Sequence, residues 1–158
     1  MAFGTGRHES TRIMMKLMKY SVMEGKNILD LGCGSGILSL YAVLLGAKKV
    51  IAIDNDPDTV FSANKNVSLN NIDRISLACA NIHDVSGTYD IVLANLDIRT
   101  FTHYSEKIKS FLKNGGYIIV SGILGKESKK LTPLFHPFVL VQTEKKNAWR
   151  GFVFNYNE

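Results

Sequence analysis

The chain has 158 residues, enough for one domain with a real core, and its 46% apolar and 21% charged residues are ordinary for a globular protein. No apolar run reaches the roughly 18 residues of a membrane span and no signal segment opens the chain, so a cytoplasmic protein without a membrane partner is expected. The net charge of +5 leaves room for an acidic partner such as RNA, although the basic residues are dispersed, with short clusters only at Lys129-Lys130 and Lys145-Lys146.

Taken in chain order, Ser10 through Met23 places Ile13, Met14, Leu17, Met18 and Val22 at helical spacing, with Ser10 as a cap and Gly25 as a stop. Strands and helices then alternate: strand 27–31, helix 36–45, strand 50–54, helix 57–69, strand 75–80, strand 89–95, helix 99–113 and strand 116–121. A short polar helix around 126–134 follows, stopped by Pro133 and Pro137. The alternation predicts an α/β protein with a mostly parallel sheet and helices on both faces. Two closing runs, 138–143 and 149–154, are joined by too few residues for a parallel crossover, so the last strand of seven should run antiparallel. Gly32, Asp54, Asn81 and Asn95 all fall at carboxyl ends of strands, where such sheets bind ligands.

Two cysteines, Cys33 and Cys79, form neither a disulfide framework nor a CxxC pair, and both read as small apolar fillers. His8, His83, His103 and His136 are scattered without ligand spacing, which argues against a metal site.

The most informative stretch is Asn27–Gly36: an apolar strand, the carboxylate of Asp30, then Gly32, Gly34 and Gly36 leading into a helix. A turn this rich in glycine lets the backbone approach a ligand closely, and the helix behind it offers free N–H groups. The dinucleotide fingerprint requires glycine where Ile37 stands, and no Gly-Lys-Ser/Thr follows for a phosphate loop. The remaining pattern, Asp-x-Gly-x-Gly-x-Gly, resembles motif I of class I methyltransferases that use S-adenosylmethionine. This makes Asp30, Gly32 and Gly34 candidate cofactor-binding residues.

Asp54 ends the second strand, 22 residues after Gly32. A carboxylate there can accept from both hydroxyls of a nucleoside ribose. The alternative is that Asp54, Asp56 or Asp58 caps the helix that begins near Pro57; Asp56, next to the proline, suits that role best.

The segment Ala2-Phe3-Gly4-Thr5-Gly6-Arg7-His8-Glu9-Ser10-Thr11, with Asp30–Gly36, Ala94-Asn95-Leu96 and Ser121-Gly122-Ile123-Leu124, resembles the bacterial methyltransferases of ribosomal protein eleven of the large subunit. The resemblance covers essentially the whole chain. It implies an S-adenosylmethionine-dependent enzyme acting on protein amines, with Thr11, Gly32, Asp54 and Asn95 on the cofactor. On the residues alone, Thr11 could equally open a helix, Asn95 could end its strand as a turn residue, and Phe3 could cover the cofactor or sit in the core.

Two departures bear on the acceptor. The family carries a separate N-terminal domain that recognises the ribosomal protein, and only Met1 precedes the Ala2–Gly6 segment here. Residues 1–158 are therefore expected to form a single catalytic domain, either an excised catalytic fragment or a small natural relative that uses a different substrate or a partner subunit. Asn95-Leu96-Asp97-Ile98 also lacks the Asn-Pro-Pro-Tyr pattern of enzymes that methylate amides and base amino groups. An RNA methyltransferase and a non-catalytic cofactor-binding subunit stay open as rival readings, and no catalytic acid or base is assigned.

Overall fold

The computed structural model describes residues 8–158. Phe3 and the Ala2–Gly6 segment lie outside the described residues.

Helix α1 (Glu9–Tyr20) buries Ile13, Met14, Leu17 and Met18, as their spacing requires. Its ends differ from expectation. His8, not Ser10, is the cap: it takes an extended conformation and its Nδ1 accepts from the Ser10 N–H at 3.2 Å. At the other end Ser21 is extended and closes the helix, so Val22 leaves the apolar stripe and is 74% exposed.

The strands are β1 (Asn27–Leu31), β2 (Lys49–Asp54), β3 (Ile75–Cys79), β4 (Tyr89–Asn95), β5 (Leu112–Leu124), β6 (Val139–Lys146) and β7 (Trp149–Asn155). They form one seven-stranded sheet in the order β3-β2-β1-β4-β5-β7-β6. The first five pair in parallel, while β7 runs antiparallel to both β5 and β6. The antiparallel last strand thus agrees with the connection length. A two-residue turn, with Asn147 at φ 54°, joins β6 to β7. The connecting helices are α2 (Ile37–Leu44), α3 (Pro57–Leu69), α4 (Ile98–Lys109) and α5 (Ser128–Leu131), the last flanked by 3₁₀ turns.

Both faces of the sheet are covered, so its central strands are apolar on both sides. On one face Ile28, Val50, Leu93, Ile119 and Val153 pack with α1 and α2. On the other Leu29, Leu31, Val92 and Val120 pack with Phe101 and Ile108 of α4, and with Leu131 and Phe135. Phe101, Phe135 and Phe154 form a run of ring contacts there at 4.9–5.9 Å.

Two further expectations are corrected. Helix α4 ends at Lys109 and β5 already begins at Leu112, because Leu112 pairs with Tyr89 before the Gly115-Gly116 bulge restores regular register at Tyr117. Cys79 is exposed, because β3 is the edge strand; Cys33 is buried as expected. No helix among the described residues is long and apolar enough to cross a membrane.

The contact of α1 with β7 has no slack at Gly151, where an added Cβ would fall on the Ile13 Cγ2 methyl and within 3.0 Å of Leu17 Cδ1. Ile13 is β-branched and buried, so it cannot swing away. Gly151→Ala is expected to destabilise the fold by about 1–3 kcal/mol, read as a lower urea midpoint. An unchanged midpoint would mean that α1 shifts freely on the sheet.

Candidate cofactor and acceptor cleft

A cleft of about 630 Å³ opens at the carboxyl ends of the parallel strands, where the chain leaves the adjacent strands β1 and β4 for opposite faces of the sheet. That volume suits a small organic ligand. Of the six residues singled out from sequence, Thr11, Gly32, Gly34, Asp54 and Asn95 line it. They come from α1, the turn after β1, the end of β2 and the end of β4.

Gly32 is closely packed. Its φ is +68°, and a Cβ would stand 2.7 Å from Leu96 Cδ2. Any side chain there would therefore strain the backbone and strike the residue after β4. Across the cleft, Gly122 has φ +85°, and its Cβ would collide with the Leu96 carbonyl. The chain is thus stripped to backbone on both sides of Leu96.

Asp54 is tied to this turn. Its Oδ2 accepts from the Gly34 N–H at 3.1 Å, and its Oδ1 accepts from the Asp56 N–H at 3.1 Å. The helix-capping alternative for the neighbouring acids is resolved by Asp56. Its carboxylate accepts from the Asp58 N–H at 3.0 Å and the Thr59 hydroxyl at 2.7 Å, and these contacts hold its pKa below the usual range. Asp54 is left facing the cleft.

Asp30 is the exception among the six. Expected to bind cofactor, it lies beneath the turn, 1% exposed, and does not line the cleft. Its Oδ2 accepts from the Ser39 hydroxyl at 2.6 Å, fastening the end of β1 to the first turn of α2. Burial pushes the carboxyl up to about 6; Ser39 opposes the rise and the Asp54 charge adds to it. Burial likewise pushes the Cys33 thiol up, so it is no nucleophile.

Asp97 caps α4, accepting from the Thr100 N–H and hydroxyl, each at 2.8 Å, which lowers its pKa. This explains why Asn95 is followed by Leu96-Asp97-Ile98: Leu96 fills the floor between two glycines, Asp97 starts the helix, and Ile98 is its first residue.

Several lining residues were invisible to sequence reasoning. His8 and Trp149 meet edge to face at 4.7 Å although they stand at opposite ends of the chain. Tyr104 comes from the middle of α4, and Ala80 and Ile82 flank Asn81 after β3. For Trp149 the available signal was its place at the start of a strand antiparallel to β5, which brings it to the same end of the sheet as the ends of β1 and β4.

The strand order, the glycine turn after β1 and the acid ending β2 together define a class I methyltransferase fold. The family model for ribosomal protein L11 methyltransferase (PrmA) matches residues 1–157. The ribosomal protein L11 methyltransferase of Thermosipho africanus is 37% identical over 153 residues, covering 97% of this chain and 57% of that protein. Its counterpart from Thermosipho melanesiensis is 38% identical over 156 residues, covering 99% and 59%. The crystal structure of ribosomal protein L11 methylase from Lactobacillus delbrueckii subsp. bulgaricus matches with a TM-score of 0.91 at 28% identity, covering 97% of this chain and 81% of that one. The chain belongs to the ribosomal protein L11 methyltransferase family. It spans less than three fifths of the length of the two sequence relatives.

The buried Asp30 has a consequence for stability. In the unfolded chain its carboxyl titrates near 3.8, and in the folded chain near 6. Its contribution is therefore fully present below about pH 4 and is lost as pH rises through 6, a loss of about 3 kcal/mol. Asp30→Asn keeps an acceptor for Ser39 but cannot ionise. Between pH 5 and pH 7.5 its unfolding free energy should gain about 1–2 kcal/mol relative to wild type, measured by urea titration. Parallel pH profiles for the two proteins would refute the assignment.

Proposed function

We propose that residues 1–158 form a single catalytic domain that uses S-adenosylmethionine to methylate an amine of ribosomal protein L11, in the cytoplasm. The observation that carries this reading is the Asp54 carboxylate. One oxygen accepts from the Gly34 N–H of the glycine turn and the other from the Asp56 N–H, inside the cleft of a chain of this family. Each oxygen retains acceptor capacity, so the pair suits the two vicinal hydroxyls of a ribose.

The remaining lining fits the rest of such a cofactor. Gly32 and Gly122 let Leu96 pack between them at the floor of the cleft. Thr11 and Asn95 offer a hydroxyl and an amide for its charged amino-acid end. Ala80 and Ile82 supply an apolar wall, with the Asn81 amide beside it, for a flat base. When bound, S-adenosylmethionine supplies a methyl carbon already activated by its sulfonium leaving group.

What the protein adds is placement and exclusion of water. Leu96, Tyr104 and Trp149 present apolar surface along the acceptor side of the cleft. A lysine or α-amine entering there loses hydration, which favours its neutral, nucleophilic form. No side chain is needed to polarise a leaving group.

Calorimetric titration is expected to give clear binding of S-adenosylhomocysteine and at least tenfold weaker binding of NAD, because Ile37 stands where a pyrophosphate turn needs glycine. Tighter NAD binding would overturn the cofactor assignment. Asp54→Ala should weaken S-adenosylhomocysteine by about 1.5–3 kcal/mol while moving the melting temperature little, since the carboxylate faces the cleft and leaves no buried void. Loss of the fold with unchanged affinity in the folded fraction would make Asp54 structural.

The acceptor is tested separately, by mass-spectrometric detection of methyl groups on purified ribosomal protein L11 at saturating S-adenosylmethionine. Cofactor binding without incorporation would retain the cofactor reading and sink the acceptor.

A further inference from the structure

Residues 98–136 carry seven Lys or Arg against two Glu, a net charge of +5 that equals that of the whole chain. Everything outside this stretch is electrically balanced. The stretch folds as α4, β5, α5 and the adjoining 3₁₀ turns, and α4 lies beside α5 and the Thr132–Phe135 turn on one face of the sheet. The cations of α4, of α5 and of the turn before α5 are therefore brought to one side of the fold, while Lys113, at the start of β5, pairs with Asp90 at 3.6 Å.

The side chains form a pattern. Arg99, His103 and Lys107 recur every four residues, a single row along a helix about 18 Å long. The row lies away from the buried Phe101, Ser105 and Ile108. Beside it Lys126, Lys129 and Lys130 are exposed, and they make no ion pair among the described residues. Lys109, by contrast, is already engaged, at 2.6 Å from Glu106 and 2.8 Å from the His136 carbonyl.

At the cleft end of this face three rings come together. Tyr104 lies nearly parallel to His83, 9° apart with centroids at 6.5 Å, and His103 meets Tyr104 edge-on at 4.5 Å. His83 and His103 are exposed, and Tyr104 reaches the cleft. Cations alone would suit any polyanion. Cations beside exposed rings suit unpaired bases on a phosphate backbone, because every base has a face to stack.

We propose that the α4–α5 face is a docking surface for single-stranded RNA. Arg99, Lys107, Lys126, Lys129 and Lys130 contact phosphates, and an unpaired base stacks at His103 and Tyr104. RNA held there runs to the mouth of the cleft, so a protein acceptor carried on RNA would be delivered beside the methylation site. This goes beyond the methyl-transfer reading and does not require it.

The test is fluorescence anisotropy of a labelled twelve-nucleotide oligouridylate with the whole chain, from 50 to 300 mM KCl. Affinity should fall with salt at a log–log slope of about −0.7 per phosphate contacted, near −3 to −4 for the five cations. Lys129→Glu with Lys130→Glu should lose at least tenfold at 50 mM KCl and flatten the slope, with S-adenosylhomocysteine affinity unchanged in the same preparation. His103→Ala should weaken binding at every salt concentration and leave the slope alone. Lys145→Glu with Lys146→Glu, on the β6–β7 hairpin, should change RNA affinity less than twofold. Absence of binding at 50 mM KCl, or an equal loss from the hairpin variant, would overturn the proposal. So would polyglutamate competing as well as oligouridylate with His103→Ala neutral, which would assign the face to an acidic protein.

Discussion

Leu96 Cδ2 lies 2.7 Å from the place where a side chain at Gly32 would begin, and the Leu96 carbonyl occupies the corresponding place for Gly122. Three segments that are distant in sequence, the turns after β1, β4 and β5, therefore meet around one leucine. They can meet because two of them carry no side chain. This contact sets how far the turn after β1 can settle, and so where the Gly34 N–H stands to reach Asp54. It also places Asn95, whose Oδ1 lies 3.1 Å from the same point at Gly122. Ligand geometry here is first a matter of packing and only then of hydrogen bonding.

The carboxylates around that contact have separate duties. Asp54 faces the cleft with one backbone N–H on each oxygen. Asp56 and Asp97 are spent on the first turns of α3 and α4. Asp30 is taken inside, where Ser39 is its side-chain partner and its charge is disfavoured by desolvation and by Asp54. A buried acid is a poor source of stability in itself. Its use is positional: it joins the last turn of the strand to the first turn of the helix, on either side of the glycines that must stay in register.

The antiparallel β7 completes the cleft from the far side. Because β7 is inserted between β5 and β6, its first residue, Trp149, reaches the end of the sheet where β1 and β4 finish. There it meets His8, whose ring nitrogen caps α1. Gly151 two residues later lets α1 lie directly on the sheet. Helix α1 and strand β7 thus hold each other in place, and Thr11 is delivered to the cleft by that pairing.

The alternation of strands and helices, the glycine turn, the acid that ends β2 and the reversal of the last strand are all legible in the order of residues. Each is a local matter: side-chain period, backbone freedom at glycine, or the length of a connection. The order of residues also carried the family, since the motif residues are contiguous. Tertiary structure decided what these pieces touch. Val22 continues a helical stripe in sequence yet is exposed, because Ser21 ends the helix. Cys79 belongs to an apolar strand yet faces solvent, because that strand is the sheet edge. Asp30 stands in the motif yet sits under the turn, and the lysines of α4 and α5 come from separate stretches yet share one face. Strand order and helix packing fix which side of an element is covered and which distant residues become neighbours, and those depend on contacts that no local pattern of residues encodes.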